Sequence, residues 1–538
     1  MSSFVASEQA PTDSNSLLKN KLKPKVAPRS ACFCLSLGLA LAVGLSGGCT
    51  HVRPVAFTGQ EMLDSGNALR AKAQQDVVPV GTTLSLEEAL ARGMKYNLSQ
   101  RAQMMEQAVA LNVWKAGNFD LLPRAMASAG YRHRDSYLIS RSRDSVTGLP
   151  SLAHPFISSD REYTLYDLGA SWSVVDFTLG YYVAKQNADR ILIAAEHRRK
   201  AMHVLSRDIT IAFWRLVCAQ KLSGEVRSVI SQAEAALADA AQARTEGLRS
   251  PGDNLRFQRQ LLENIRLLAS IDKELSTARI TLSNLINVPL QAEFTVVEPE
   301  GTENVRILDV PVVRLEDLAL AQNADLREQA YNQRIASVEV RKSLARLLPN
   351  LSLNYDLRYN TDSFLINKDW TEAGVMVSQN LTSLLAAPSQ RRLAKGGVEL
   401  ATQRRLAVQM ALLTQVHIAR VELVSSYRQL KLADRIWALD QELRRTMGAR
   451  EEAQSDSKLN KIAADTSAIV SLLRRYQALA EFNAANGNLQ ASLGMQADVG
   501  SVDSLSLSEL TQSVSGNLSA WREGRLPEPA QGAPIQEK

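Results

Sequence analysis

The chain has 538 residues, of which 45% are hydrophobic and 5% aromatic, and its formal net charge is +6. Five basic and two acidic residues precede position 49, so the remainder carries only +3. No run of Lys and Arg with interleaved aromatic residues follows, which argues against nucleic acid as a partner, and the length allows several domains.

Residues 1–48 have the layout of an export signal. A basic stretch precedes an apolar run, residues 31–45, and small residues then lead to Cys49. Small residues before a cysteine resemble a bacterial lipoprotein processing site, so we predict lipidation of Cys49, although Leu45 lies four residues before it. An uncleaved anchor or a plain signal peptide is the alternative. Cys218 would then be the one other cysteine of the mature chain, and we predict that it is a small buried apolar residue.

A lead-in, residues 49–83, is expected to be extended or irregular. The first helical pattern runs from about Leu86 to Leu122, with Ser85 as its N-cap. Pro123 ends this helix, because the residue before a proline favours extended geometry.

Four segments alternate between polar and apolar residues, which is typical of strands with one face of each kind. The predicted strands are Ala125–Arg134, Tyr166–Val174, Leu351–Asn360 and Thr371–Gln379. Ten residues is also about the length of a tilted transmembrane β-strand. The polar positions are expected to face a water-filled lumen, and the main candidates are Asp167, Asn354, Asp356 and Arg358.

Long helical patterns follow each pair of strands. Residues 183–247 contain no proline and predict a helix of roughly 100 Å. A turn at 250–253 leads to a return helix, residues 254–287, and residues 315–348 predict another helix of about half the long one's length. In the second half, a helix over 390–450 turns near 454–458 and returns to about residue 494.

The two halves repeat one plan. Leu121-Leu122-Pro123 recurs 226 residues later as Leu347-Leu348-Pro349, each time before a strand. The sequence therefore predicts an internal tandem duplication. The predicted divisions are a signal peptide (1–48), the lead-in (49–83), a first repeat (84–314), a second repeat (315–520) and a disordered tail (521–538).

Four strands cannot close a transmembrane barrel, and open strand edges are not tolerated in lipid. Bacterial barrels have at least eight strands, so two copies of the chain would give eight and three would give twelve. The alternative is a small soluble sheet carried by a coiled-coil scaffold.

The order of these motifs, together with the segment 244–253 (Arg-Thr-Glu-Gly-Leu-Arg-Ser-Pro-Gly-Asp), resembles the TolC-like outer-membrane efflux proteins over about residues 84–494. The resemblance implies a mainly α fold with transmembrane β-strands. In this fold, three chains form a twelve-stranded outer-membrane barrel that a helical coiled-coil barrel continues through the periplasm. It implies outer-membrane lipid, a periplasmic adaptor (membrane fusion) protein and an inner-membrane pump of RND or ABC type as partners.

The resemblance also implies that the tips of the helical hairpins contact the adaptor. The matching positions are Gly247, Leu248, Ser250 and Asp253. The second tip lacks the glycine-leucine pair, and we hypothesise an acidic constriction there, balanced by neighbouring arginines; a solvated turn is the alternative. The acids of this candidate gate are Glu451, Glu452 and Asp456, and the arginines are Arg444, Arg445 and Arg450.

Enzyme chemistry is not predicted. The six histidines show no metal-ligand spacing, and the sequence has no nucleophile-elbow, phosphate-binding or dinucleotide-binding motif. We therefore expect no catalytic residue, metal or cofactor. The sequence favours a passive outer-membrane duct of a tripartite efflux or type I secretion system. A non-transport periplasmic coiled-coil scaffold lipoprotein is the alternative.

Overall fold

The computed structural model describes residues 55–150, 154–245, 251–299, 306–453, 458–495, 502 and 504–526. The chain divides into two units, residues 1–70 and 71–538. The helices are α1 (Gly59–Gln74), α2 (Leu86–Tyr96), α3 (Leu98–Gly117), α4 (Val174–Thr245), α5 (Pro251–Ser276), α6 (Ala278–Leu285), α7 (Val312–Gln322), α8 (Ala324–Ala345), α9 (Leu381–Glu452), α10 (Lys458–Ser492) and α11 (Leu507–Arg522). The strands are β1 (Thr83–Leu84), β2 (Arg124–His133), β3 (Ile139–Ser140), β4 (Phe156–Ile157), β5 (Glu162–Ser173), β6 (Thr295–Val296), β7 (Asn350–Asn360) and β8 (Asp369–Ser378).

The four predicted strands form one antiparallel sheet in the order β2–β5–β7–β8. Their bounds match the predictions closely at three strands, and β5 begins four residues earlier than expected. The inner pair, β5 and β7, joins the two halves of the chain, with Asp167 opposite Arg358 and Ser171 opposite Asn354. The sheet is therefore one unit built from both halves.

Each half contains a helix of 72 residues, α4 and α9, which is about 108 Å long at 1.5 Å per residue. Both begin earlier than predicted, α4 directly after β5 and α9 three residues after the end of β8. The early start of α9 has a local cause, because the Asn380 side chain caps the backbone N–H groups of Thr382 and Ser383. Pro388 lies near this end of the helix.

The predicted single helices 86–122 and 315–348 are each divided by an asparagine, which corrects the sequence interpretation. Asn97 separates α2 from α3, and Asn323 separates α7 from α8. Both have extended backbone, and both side chains cap the following helix. The Asn97 amide donates to Leu285 O at 2.9 Å, and the Asn323 amide donates to Ser492 O at 3.1 Å. Each break therefore joins a helix pair to the end of a return helix.

The long helices pack side by side with the shorter ones. Next to the sheet the order is α3–α4–α8–α9, and farther from the sheet it is α5–α4–α10–α9. Apolar residues of α4 and α10 meet in the core, where Phe213, Trp214 and Phe482 are almost completely buried. Cys218 lies on the same stretch of α4 and is buried, as predicted. Burial raises the pKa of its thiol to about 12, with a smaller contribution from Glu274.

A second group of short elements packs beside the long helices, partway along them. We call the group formed by α2, α6, α7, α11 and the parallel β1–β6 pair the belt. Both return helices end in the belt with a residue at positive φ, Asn287 (53°) and Gly494 (69°), and the next N–H bonds five residues back. This is the Schellman ending of a helix.

Two helices were not predicted. The lead-in contains α1, which begins at a capping box: Glu61 N–H donates to Thr58 Oγ1, and Thr58 N–H donates to Glu61 Oε2. Helix α11 begins at a second capping box, formed by Ser506 and Glu509. It continues to residue 522, two residues into the segment expected to be a disordered tail.

Candidate functional site

The polar face of the sheet is organised around Arg358. Its Nε lies 2.8 Å from Asp167 Oδ2, its Nη1 lies 2.6 Å from Glu372 Oε2, and its Nη2 lies 3.6 Å from Asp356 Oδ2. These carboxylates come from three neighbouring strands, so one guanidinium connects β5, β7 and β8. All four predicted lumen residues lie on this face, since the register also places Asn354 beside Ser171. Glu372, assigned to a polar face by its alternation, joins them as a partner of Arg358.

The opposite face of the sheet is apolar, and no part of the chain that the structure describes covers it. Val375 is 72% exposed, and Tyr355, Leu357 and Leu168 on the central strands are also exposed. Such a face is unstable in water, because monomeric soluble proteins rarely expose contiguous apolar patches beyond a few hundred Å². Its composition suits contact with lipid or with another apolar surface.

The outer strands of the sheet, β2 and β8, are each paired on one side only within the described residues. Their free edges present backbone N–H and C=O groups that can pair with another strand. A sheet with one polar face, one apolar face and two free edges has the chemistry of a segment of a larger closed barrel.

A second uncovered apolar surface runs along α9, the last helix of the layer. At 100° per residue, most of its exposed apolar side chains fall within about one third of the helix circumference, whereas Leu384 and Leu406 lie outside it. The stripe includes Leu385, Leu393, Met410, Ile418, Val421, Leu432 and Leu439. A shorter stripe lies on α3, at the other edge of the layer near the sheet, and comprises Leu98, Met105, Val109 and Val113.

The hairpin ends hold the predicted tip and gate residues. Asp253 lies in the first turn of α5, where it is exposed and pairs with Arg256 at 3.4 Å. Glu451 pairs with Lys461 of α10 at 3.2 Å, a partner that the sequence did not suggest. Five of the predicted positions lie outside the described residues, namely Cys49, Gly247, Leu248, Ser250 and Asp456.

Among the described residues, Arg444 pairs with acids other than Glu451 and Glu452 of the second tip. Its Nε lies 2.8 Å from Asp465 Oδ1 on α10, and its Nη1 lies 3.0 Å from Glu225 Oε2 on α4. Burial opposes the charged form, but the bonds to Glu225 and Asp465 outweigh it and raise the Arg444 pKa. Arg444 therefore joins three helices. Arg445, Arg450 and Glu452 are exposed on the last turns of α9.

Sequence reasoning missed a buried ionic cluster between α4 and α8. Glu196 Oε2 lies 2.7 Å from Arg199 Nη2, and Glu196 Oε1 lies 2.9 Å from Arg327 Nε. Burial raises the pKa of Glu196, and the two arginines counter this in part. No periodicity in the sequence indicates the cluster, because its members come from helices more than a hundred residues apart.

Comparison with solved structures gives the fold. The chain is similar to a membrane protein from Pseudomonas aeruginosa (TM-score 0.60, 14% identity, 85% of this chain and 98% of that one). It is also similar to the CmeC outer membrane channel of Campylobacter jejuni, with a TM-score of 0.61 and 12% identity over 80% of this chain and 89% of that one. It is similar as well to the open state of the MtrE outer membrane channel of Neisseria gonorrhoeae, with a TM-score of 0.57 and 14% identity over 76% of this chain and 89% of that one. The chain thus has the TolC-like fold of outer-membrane channels.

No family model matches the chain, and neither does any curated protein sequence. Among the helices that the structure describes, none is both long and apolar enough to cross a membrane.

Proposed function

We propose that three copies of this chain form a passive outer-membrane exit duct. The main support is the four-stranded sheet, which has one polar face, one apolar face and free edges and lies at the end of two 72-residue helices. Unpaired backbone groups cannot remain in lipid, so the sheet must close with others. Three sheets give a twelve-stranded barrel with the Arg358 side facing the lumen and the Val375 side facing lipid.

The exposed stripes on α9 and α3 support contact between copies. These helices stand at opposite edges of the layer next to the sheet, so α9 of one copy can pack on α3 of the next. Val109 lies 15 residues before β2 begins, and Leu393 lies 15 residues after β8 ends. Both therefore lie about 22 Å from the sheet along their helices, at matching heights.

Disulfide cross-linking tests this arrangement. The double variant Val109→Cys/Leu393→Cys, made with Cys218→Ser, should give covalent dimers and trimers on mild oxidation of intact outer membranes. Val109→Cys/Lys395→Cys is the matched control, because Lys395 is about 160° from Leu393 around α9 after allowance for the helical repeat. Equal cross-linking of both variants, or none in the first, would contradict the proposed packing.

The proposed role is export from the periplasm, or from an inner-membrane pump, to the exterior. In a tripartite efflux or type I secretion system, a periplasmic adaptor would join the duct to a pump of RND or ABC type. The pump would supply the energy, and the duct performs no catalysis. The alternative, a periplasmic scaffold lipoprotein, gives no reason for an apolar sheet face to remain uncovered.

We infer that the chain arose by tandem duplication, with repeats 84–314 and 315–520. The two long helices have equal length and start 207 residues apart. The same offset relates Asn287 to Gly494, the two residues at positive φ that end the return helices. Asn97 and Asn323 divide their helices in the same way, 226 residues apart.

We propose three further assignments for the ends of the duct. Cys49 carries the lipid anchor after removal of residues 1–48, and Cys49→Ala should abolish incorporation of labelled lipid. The first tip, with Gly247, Leu248, Ser250 and Asp253, contacts the adaptor, and Leu248→Asp should reduce adaptor pull-down.

The acids of the second tip narrow the periplasmic end. Three copies of Glu451, Glu452 and Asp456 would form an acidic ring, which the pair between Glu451 and Lys461 partly neutralises. Neutralising the three acids should lower the preference for cations in planar-bilayer recordings. Unchanged conductance and unchanged cation preference would contradict the gate assignment and favour a solvated turn.

A further inference from the structure

A cleft of about 840 Å³ lies between α4, α8 and α9 just below the sheet. Its floor is one side of α8, and its walls come from α4 and α9. This volume lies within the range of small-molecule sites in proteins. None of the ion pairs at the hairpin ends belongs to it.

The cleft has an excess of positive charge. Lys342 Nζ lies 3.3 Å from Glu339 Oε2, so these two charges compensate each other. Arg190 donates to the neutral amide of Asn187, and neither Arg346 nor Arg404 makes a salt bridge with a described residue. Glu339 also interacts electrostatically with Arg346. The lining holds four basic side chains and one acid, so each chain contributes a net charge of +3, beside apolar lining that includes Ile335 and Leu400.

The cleft and the belt lie on opposite sides of α4. Ser206 and Thr210 of α4 line a separate cavity with α2 and α11 of the belt. At 100° per residue these two residues are about 160–200° around α4 from Arg190. In contrast, Asp176 lies two heptads before Arg190, so both residues are on nearly the same side of α4. Asp176 borders the polar face of the sheet together with Ser173. The cleft thus opens on the side of the polar sheet face.

In the proposed trimer, that side is the lumen. Twelve helices spaced about 10 Å apart form a ring roughly 38 Å across at the helix axes, with about 28 Å free inside. Three belts of helices about 10 Å thick would fill this space, so the belts must lie outside. The cleft, on the opposite side of α4, then faces inward.

We propose that this cleft is a binding site for amphiphilic organic anions inside the duct, which rests on the function proposed above. The guanidinium groups of Arg190, Arg346 and Arg404 attract a carboxylate, sulfonate or phosphate group, because guanidinium forms strong charge-assisted hydrogen bonds with such oxygens. The apolar lining holds the hydrocarbon part of the same molecule. The duct would therefore retain organic anions better than cations of equal size and apolar area.

The test measures binding of hexanesulfonate and of hexyltrimethylammonium to the full chain in phosphatidylcholine nanodiscs by isothermal titration calorimetry, with empty nanodiscs subtracted. Wild-type protein should prefer the sulfonate, and Arg346→Gln/Arg404→Gln should weaken sulfonate binding about tenfold. The matched control is Arg391→Gln/Lys395→Gln, which removes two charges about 140–180° around α9 from Arg404. This control should change sulfonate binding less than twofold.

Equal weakening by the two variants, or equal binding of the two ions by wild-type protein, would overturn the cleft assignment. Conductance recordings in planar bilayers distinguish failure of the cleft assignment from failure of the proposed duct function. Conducting trimers without a sulfonate preference would refute the cleft alone. A folded chain that remains monomeric and does not conduct would refute the duct.

Discussion

The substitution Gly494→Ala tests how the second return helix joins the belt. Gly494 has a φ of +69°, a conformation that costs a residue with a side chain about 1–2 kcal/mol. A Cβ atom there would lie 2.4 Å from the backbone C and O atoms of Gln322, at the end of α7. Backbone cannot move aside as a flexible side chain can, so overpacking adds about 1–3 kcal/mol. The expected destabilisation is about 2–5 kcal/mol in all.

The assay is thermal melting of the detergent-extracted protein, followed by circular dichroism and by the temperature at which trypsin begins to cleave α10 and α11. Gly494→Ala should lower the apparent Tm by about 2–5 °C, since an unfolding entropy of about 2.1 cal/mol/K per residue makes each kcal/mol worth about 1 °C in a unit that spans residues 71–538. The control is Gly516→Ala in α11, where a Cβ would meet nothing within 4 Å. It should leave the Tm unchanged or raise it, because alanine favours helix. Equal melting temperatures for Gly494→Ala and wild type would contradict the close packing of Gly494 against Gln322.

Three side chains, Asn323, His203 and Cys218, give further predictions. Asn323→Ala removes an N-cap and leaves the buried Ser492 carbonyl without its donor, so it should lower the unfolding free energy by about 2–3 kcal/mol. Asn323→Asp should keep the cap but not the bond to Ser492, because a carboxylate accepts hydrogen bonds and does not donate them. Burial, with help from Arg199, lowers the pKa of His203 to about 4. The unfolded chain then binds the proton first, so stability should fall as the pH drops from about 6.5 to about 4, and pH-dependent melting of His203→Gln should lose this component. The buried thiol of Cys218, with its raised pKa of about 12, should resist alkylation at pH 8 until the protein is denatured, as peptide mass spectrometry would show; rapid native labelling would contradict its burial.

Alternation in the sequence was sufficient to find the sheet. Leu351–Asn360 alternates without interruption, and the structure pairs this strand with two of the other three predicted strands. The reason is that β5, β7 and β8 each have one face with charged side chains around Arg358 and one apolar face, so a shift by one residue would exchange the two faces. The direction of each side chain followed from the same pattern.

Helix boundaries were harder to predict because local capping overrides periodicity. The breaks at Asn97 and Asn323 interrupt continuous helical patterns, and only the tertiary bonds to Leu285 and Ser492 explain them fully. The missed helices α1 and α11 did have a signal, the sequence Ser/Thr-x-x-Glu at 58–61 and 506–509. The segments around this signal are short and weakly periodic, so periodicity alone does not indicate a helix there.

The cationic cleft could not be read from the sequence. Arg190, Arg346 and Arg404 come from three helices, and nothing in their spacing distinguishes them from other arginines on solvated helix faces. Their meeting depends on the order α4–α8–α9 in the layer, which is set by the strand order β5–β7–β8. The same dependence hides the cluster around Glu196.

The central claim is that the sheet completes a membrane barrel with two other copies of the chain. Its most direct test is native mass spectrometry of the protein extracted in mild detergent from separated outer membranes. We expect a complex of three chains that requires detergent for release. A monomer, or release by salt or alkali without detergent, would contradict it, because four strands with free edges and an exposed apolar face cannot span lipid alone.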